Sequence, residues 1–140
     1  MVKKEKIKHF ILVGDENSWK VILEKQIWGF SDKKKGSWNS LNKNDKIAFY
    51  VTSPVKKIIG YGKIKEKFVS NEILFHDEKI LQCVIWKNRF NFEIEKIVTE
   101  WENGISPPTG LMLNVGNKPI STEIFQTIKI SITKKCKLKT

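Results

Sequence analysis

Asn17-Ser-Trp-Lys-Val-Ile-Leu-Glu-Lys-Gln-Ile-Trp-Gly-Phe30 is the stretch on which the reading of this chain turns. Trp19, Ile22, Leu23 and Ile27 recur at spacings of three and four, which places one apolar stripe of a helix against a core. Asn17 or Ser18 can cap that helix by accepting a hydrogen bond from a free first-turn amide. Immediately upstream, residues 9–13 form a short apolar run closed by Gly14-Asp15, which reads as a buried strand. The helix is predicted to end at Trp28-Gly29, with the indole on the turn where the chain leaves it. An aromatic ring positioned by a rigid element, yet not wholly interior, can stack on a flat ligand.

Outward from that helix the pattern changes. Residues 31–44 are polar and start with Lys33-Lys34-Lys35-Gly36, as expected of a loop. Residues 46–52 are dense in β-branched and aromatic side chains and stop at Pro54. A second strand is predicted over 57–68, where Gly60 and Gly62 suit the sharp bending of a small barrel. Residues 80–86 (ILQCVIW) read as a third barrel strand. Residues 92–101 are ambiguous in pattern: Ile94, Ile97, Val98 and Trp101 fit one face of a helix that Gly104 would stop. Residues 105–118 hold Pro107-Pro108 and two glycines and read as irregular. Ser121 is a predicted N-cap for a helix over 122–132 with Ile124, Phe125, Ile128 and Ile132 in register. The domain is expected to occupy residues 1–133, with 134–140 as a basic tail.

Size and composition bound the function. At 140 residues the chain is long enough for one hydrophobic core and too short for two. Its formal charge of +11 combines a single arginine, Arg89, with a large excess of lysine, and favours a polyanionic partner, nucleic acid before an anionic membrane. A compositional origin competes with that reading: Ala48 is the only alanine, as an AT-biased genome would produce. No segment approaches the ~20 apolar residues of a bilayer span. The apolar run at 10–13 is shorter than the ~7–15 residues of a signal-peptide core, so a soluble, cytoplasmic protein without a membrane partner is expected. Cys83 and Cys136 lie in no metal-ligand spacing, and His9 and His76 are isolated. No metal, cofactor, nucleophile–base pair or paired catalytic carboxylates emerge, so catalysis is not expected.

The order of strand, short helix, Trp-Gly turn, basic loop, acidic turn, aromatic strand and glycine-bearing strand resembles the EVE domain, a PUA-like β-barrel module related to the YTH domain. The residues that carry the likeness are Asn17-Ser-Trp19, Ile27-Trp-Gly-Phe30, Asn44-Asp-Lys-Ile-Ala-Phe-Tyr-Val51 and Ile58-Ile-Gly-Tyr-Gly62, with weaker support from Val84-Ile-Trp86, residues 108–113 and Ile120-Ser-Thr-Glu123. Asn44 stands where that family often has glycine, and asparagine tolerates the positive φ such a turn needs.

The resemblance implies an α+β fold, a small mixed β-barrel of the PUA-like kind flanked by short helices. It also implies recognition of a modified base, in DNA or RNA, extruded into an aromatic cage. Trp28 would be one wall and Trp86 the other. Asp15, Asn17 and the backbone amides of Gly29 and Phe30 would read the base edge. Trp38 is a candidate third wall or, alternatively, a loop anchor. Lys33, Lys34, Lys35, Lys56, Lys57, Lys87 and Arg89 are candidate phosphate ligands, Arg89 being able to bind bidentately. The family also occurs with nucleases, so a separate nuclease or modification-system partner is part of the expectation. Two other readings remain open at this point: a general RNA-binding accessory that uses lysines alone, and an enzyme acting on nucleic acid. Trp19 is expected in the core.

Overall fold

A computed structural model describes residues 7–108, 113 and 116–137. Six strands make one sheet: β1 (His9–Gly14), β2 (Ile27–Phe30), β3 (Lys46–Val51), β4 (Lys57–Val69), β5 (Asn88–Ile97) and β6 (Gly116–Ile120). Their order across the sheet is β2-β5-β4-β3-β1-β6, and the sheet curls into a half-barrel. Among the described residues four α-helices flank it: α1 (Glu16–Lys25), α2 (Lys35–Asn39), α3 (His76–Leu81) and α4 (Thr122–Lys137). This is the α+β class expected from the sequence. Among the described residues no helix is long and apolar enough to cross a membrane.

The crossover β1–α1–β2–α2–β3 determines the rest of the topology. β1 and β3 pair in parallel, a geometry that needs a long connection, while β2 is carried to the far edge and pairs with β5. Asp15, rather than Asn17 or Ser18, caps α1, its Oδ1 accepting from Ser18 N at 2.8 Å. The helix ends two residues earlier than its apolar stripe suggests, because Gln26 takes the left-handed conformation at φ 56°. Trp28 therefore sits inside an edge strand. Alternation along β2 turns Trp28 and Phe30 inward.

A chain of rings runs through the core. Trp28 packs on Trp19 at 5.4 Å between centroids, Trp19 on Phe49 at 5.3 Å, and Phe49 on Phe92 at 5.4 Å. Phe92 meets Phe90 at 6.2 Å and Phe90 meets Phe30 at 6.2 Å, so the series returns to β2. Trp19 is wholly buried, as expected, and its indole N–H donates to the Tyr50 carbonyl at 2.8 Å.

Two predicted elements are corrected. The segment read as a strand over 80–86 is the end of α3, a left-handed turn at Gln82 and then chain in no regular element, with Ile80 and Leu81 exposed rather than in a core. What holds it is the carboxylate of Glu78, described below, and no local apolar pattern signals that. The ambiguous segment from 92, whose apolar positions fit a helical face, is β5 as far as Ile97. Its pairing with β4 skips Glu95, and this bulge moves the inward phase by one residue. Ile94 and Ile97 thereby acquire a three-residue spacing that imitates a helical stripe. The polar loop is also partly ordered, into a short 3₁₀ turn at Asp32–Lys34 and α2.

Other expectations hold. Asn44 has φ 75°, and Asp45 is buried, accepting from Asn42 N at 2.9 Å and Lys8 N at 3.1 Å to close its turn. Ser121 Oγ accepts from Ile124 N at 3.1 Å at the start of α4. That helix continues through 134–137, which the sequence reading assigned to the tail; residues 138–140 lie outside the described residues, as do 1–6, 109–112 and 114–115.

Gly60 and Gly62 are needed for close approach. A Cβ on Gly62 would collide with the Glu93 carbonyl oxygen, and one on Gly60 with that of Lys96. Gly62→Ala is expected to cost about 1–3 kcal/mol in chemical denaturation. Gly36, on α2, faces open space, and Gly36→Ala should be neutral or stabilising by up to about 1 kcal/mol in the same assay.

Candidate nucleic-acid interface

Between β2, the start of α1, the β3–β4 turn and α3 lies an open cavity of about 400 Å³. Trp28, Phe30, Phe75 and Trp86 give it four aromatic side chains, and Asp15, Ser18, Lys34, Ser37, Thr52 and Asp77 give it polar edges. The volume falls in the ~300–1,000 Å³ range of small-molecule sites. Trp28 and Trp86, far apart in sequence, border this same space.

The two tryptophans are held differently. Trp28 is only 6% exposed and rests on Trp19, so it offers a fixed surface backed by the core. Trp86 is half-buried on the chain that follows α3. Its indole N–H donates to the Asp77 carboxylate, at 2.8 Å to Oδ2 and 3.0 Å to Oδ1. Gly29 lets the two sides meet: a Cβ there would lie 2.6 Å from Trp86 Cβ and 2.9 Å from Phe75 Cε2. Any side chain at 29 would push both rings outward.

Glu78 organises the half of the cavity contributed by the α3 region. It is completely buried. Oε1 accepts from Leu74 N at 3.0 Å and Phe75 N at 3.1 Å, and Oε2 from Ile85 N at 2.8 Å and Trp86 N at 2.9 Å. Arg89 Nη2 lies 3.2 Å from Oε1. One carboxylate therefore fixes the backbone of both Phe75 and Trp86. Burial acts to raise its pKa, but the bonds from Trp86, Leu74, Phe75 and Ile85 together hold it below the ordinary value.

Arg89 is a correction. Expected on a phosphate, it is 2% exposed, and its Nε and Nη2 are bonded internally. Nε donates to the Trp86 carbonyl at 2.8 Å, Nη2 donates to the Glu72 carbonyl, and the group lies 5.1 Å from the Phe75 ring centroid. A buried carboxylate demands a partner, and Arg89, on the adjacent strand, is the one within reach.

The remaining expected residues divide. Asp15, Trp28, Gly29, Phe30, Lys34 and Trp86 all border the cavity. Asn17 does not, because it is an exposed residue on α1 one turn-step away from Ser18, which does. Trp38 is the loop anchor rather than a wall: its indole N–H donates to the Arg89 carbonyl at 2.8 Å, and the Lys67 ammonium sits 5.0 Å from the ring centroid. Lys33 and Lys35 are exposed neighbours of Lys34. Lys56 is exposed in the turn after Thr52, whereas Lys57 Nζ donates to Ser106 Oγ at 3.2 Å and Lys87 is half-buried. Phe75, Asp77, Ser18, Ser37 and Thr52 were missed by the sequence reading. Only the Asp77-Glu78 pair carried a local signal, as acids suited to a helix first turn.

A protonated Glu78 would lose its ion pair, and the amide bonds to the oxygen that takes the proton would be weakened or lost. Because its folded pKa is depressed, its stabilisation is complete above the ordinary carboxylate range and drains away as pH falls through the depressed value. Glu78→Gln is expected to destabilise the fold by about 3–5 kcal/mol at neutral pH and to flatten the acid limb of the stability–pH curve. Urea denaturation across pH 3–7 checks both.

Comparison with solved structures places the fold. The Mmi1 YTH domain superposes with a TM-score of 0.64 at 11% identity, covering 96% of this chain and 79% of that one. A crystal structure of the Mmi1 YTH domain in complex with RNA gives 0.61 at 14% identity, covering 93% and 82%. The ASCH protein of Zymomonas mobilis gives 0.52 at 11% identity, covering 88% and 94%. At these identities the likeness is one of fold, and the chain has the PUA-like α+β architecture. No protein-family model matches the sequence, and no curated protein matches it significantly.

Proposed function

We propose that this chain is a non-catalytic nucleic-acid-binding domain of the EVE type that takes one flipped, modified base into its aromatic cavity. The observation that carries the reading is that Trp28 and Trp86, from separate parts of the chain, open onto one space together with Phe30 and Phe75. Extruding a base costs a few kcal/mol, and stacking on aromatic side chains returns about 1–3 kcal/mol per base. A methyl group buried against the rings adds about 0.8 kcal/mol. Asp15, Asp77, Ser18 and the backbone at Gly29, all at the cavity, would read the base edge.

Charge supports the same conclusion. Lys34 at the cavity, with Lys33 and Lys35 beside it, offers cations to flanking phosphates, and Lys56 adds one near the β3–β4 turn. RNA is the favoured polymer, since a YTH domain of this fold is recorded in complex with RNA. Any cleavage of the bound strand would belong to a separate nuclease partner.

Short single-stranded RNAs identical but for one base modification provide the test, with tryptophan fluorescence as readout. A modified RNA is expected to bind more tightly than its unmodified counterpart, and Trp86→Ala to weaken it by about tenfold or more, the loss of one stacking surface. Trp86 is the better site to vary because Trp28 also supports the core. Equal affinity for every RNA, insensitive to Trp86→Ala in a folded variant and falling steeply with salt, would instead identify a general binder that works through its lysines.

A further inference from the structure

The cavity and the surface carry opposite charge. Over the whole chain the balance is +11, yet two carboxylates, Asp15 and Asp77, line the cavity against a single lysine, Lys34. Both are acceptors only. Asp15 Oδ1 is engaged by Ser18 N, and the hydrogen bonds of the described residues leave Oδ2 open. Asp77 Oδ1 accepts from Glu78 N at 2.9 Å as well as from the Trp86 indole, whereas Oδ2 accepts from the indole alone and keeps capacity for another donor.

The aromatic groups reinforce this sign. Indole and phenyl faces carry the negative side of a quadrupole and attract cations. Donating the Trp86 N–H to a carboxylate pushes electron density into that ring and deepens the effect. Within a partly desolvated space the attraction between a carboxylate and a cation is much stronger than in water. The same carboxylates repel phosphate, so a nucleotide enters base first while its backbone stays on the lysines outside.

From this we infer that the cavity selects bases that are cationic through alkylation of a ring nitrogen, over neutral bases carrying the same alkyl group. The inference rests on the base-cage reading and adds to it the class of base. A neutral methylated base would gain only stacking and apolar burial. A cationic one gains both and also meets two carboxylates and the electron-rich indoles of Trp28 and Trp86.

The test uses isomers. The full chain is titrated at neutral pH with three short single-stranded RNAs that differ only at one central residue: adenosine, N6-methyladenosine or N1-methyladenosine. The two methylated bases have the same heavy atoms, but at neutral pH only the N1-methylated one holds a further proton and is a cation. The N1-methyl RNA is expected to bind about tenfold tighter than its N6-methyl isomer, equivalent to about 1.4 kcal/mol. Asp77→Asn and Asp15→Asn should each narrow that gap, to about threefold or less in the double variant. Asparagine preserves the α1 cap and an acceptor for the indole, and should Asp77→Asn not fold, Asp15→Asn alone decides.

Equal binding of the two isomers overturns the inference, as does a gap that neither asparagine variant changes. If both isomers bind alike, tighter than the adenosine RNA and dependent on Trp86, the cage reading stands without its charge preference. If no modified RNA is preferred and Trp86→Ala has no effect, the cage reading itself falls.

Discussion

A single carboxylate with no access to water governs the half of the cavity that the α3 region contributes. Glu78 is buried on a helix of only six residues, and a charge in that position is tolerable only if every acceptor site is filled. Four amides and one guanidinium fill them. The consequences spread outward. Phe75 and Trp86 are brought together by sharing one acceptor group, and Arg89 is drawn inward from the strand that follows. The Arg89 carbonyl in turn receives the Trp38 indole, which ties α2 to the same centre. Breaking the pair by removing one partner would strand a buried charge, which explains why the walls and the ion pair must form together.

The opposite half of the cavity is built by other means. Trp28 and Phe30 belong to the series of rings that crosses the core through Trp19, Phe49, Phe92 and Phe90. Ring-to-ring packing of that kind is stiff, so this side is a fixed surface. The α3 side is polar in its construction and half exposed at Trp86. The cavity thus joins an apolar wall supported by the core to a wall supported by hydrogen bonds, with Gly29 as the point of contact. Two carboxylates, Asp15 and Asp77, and one lysine, Lys34, line the cavity, while Lys33, Lys35 and Lys56 are exposed outside it.

Much of the fold was legible. The stripe of Trp19, Ile22 and Leu23, the glycines of β4, the Asn44 turn and the Ser121 cap all follow from periodicity or local stereochemistry, and each has the role read for it. Trp28 and Trp86 were also legible as candidates, because a large amphipathic side chain at an element boundary is conspicuous. What misled the reading was specific. A bulge at Glu95 gave a strand the spacing of a helix, and the apolar run ILQCVIW imitated a strand although half of it is exposed. Arg89 looked like the best phosphate ligand in the chain for the very reason that suits it to a buried carboxylate, its planar array of donors.

By itself the sequence determined the elements whose signals are local: an amphipathic helix after a strand, turns that need asparagine or glycine, an excess of cations, and aromatic residues too large to be incidental. Tertiary structure alone decided which residues meet. Glu78 and Arg89 find each other because β5 lies next to the path of α3, and Phe75 and Asp77 join the cavity because Glu78 draws their backbone to it. Such pairings depend on the position of one element relative to another. No periodicity along the chain encodes that distance; burial of charge and close packing impose it once the sheet has curled.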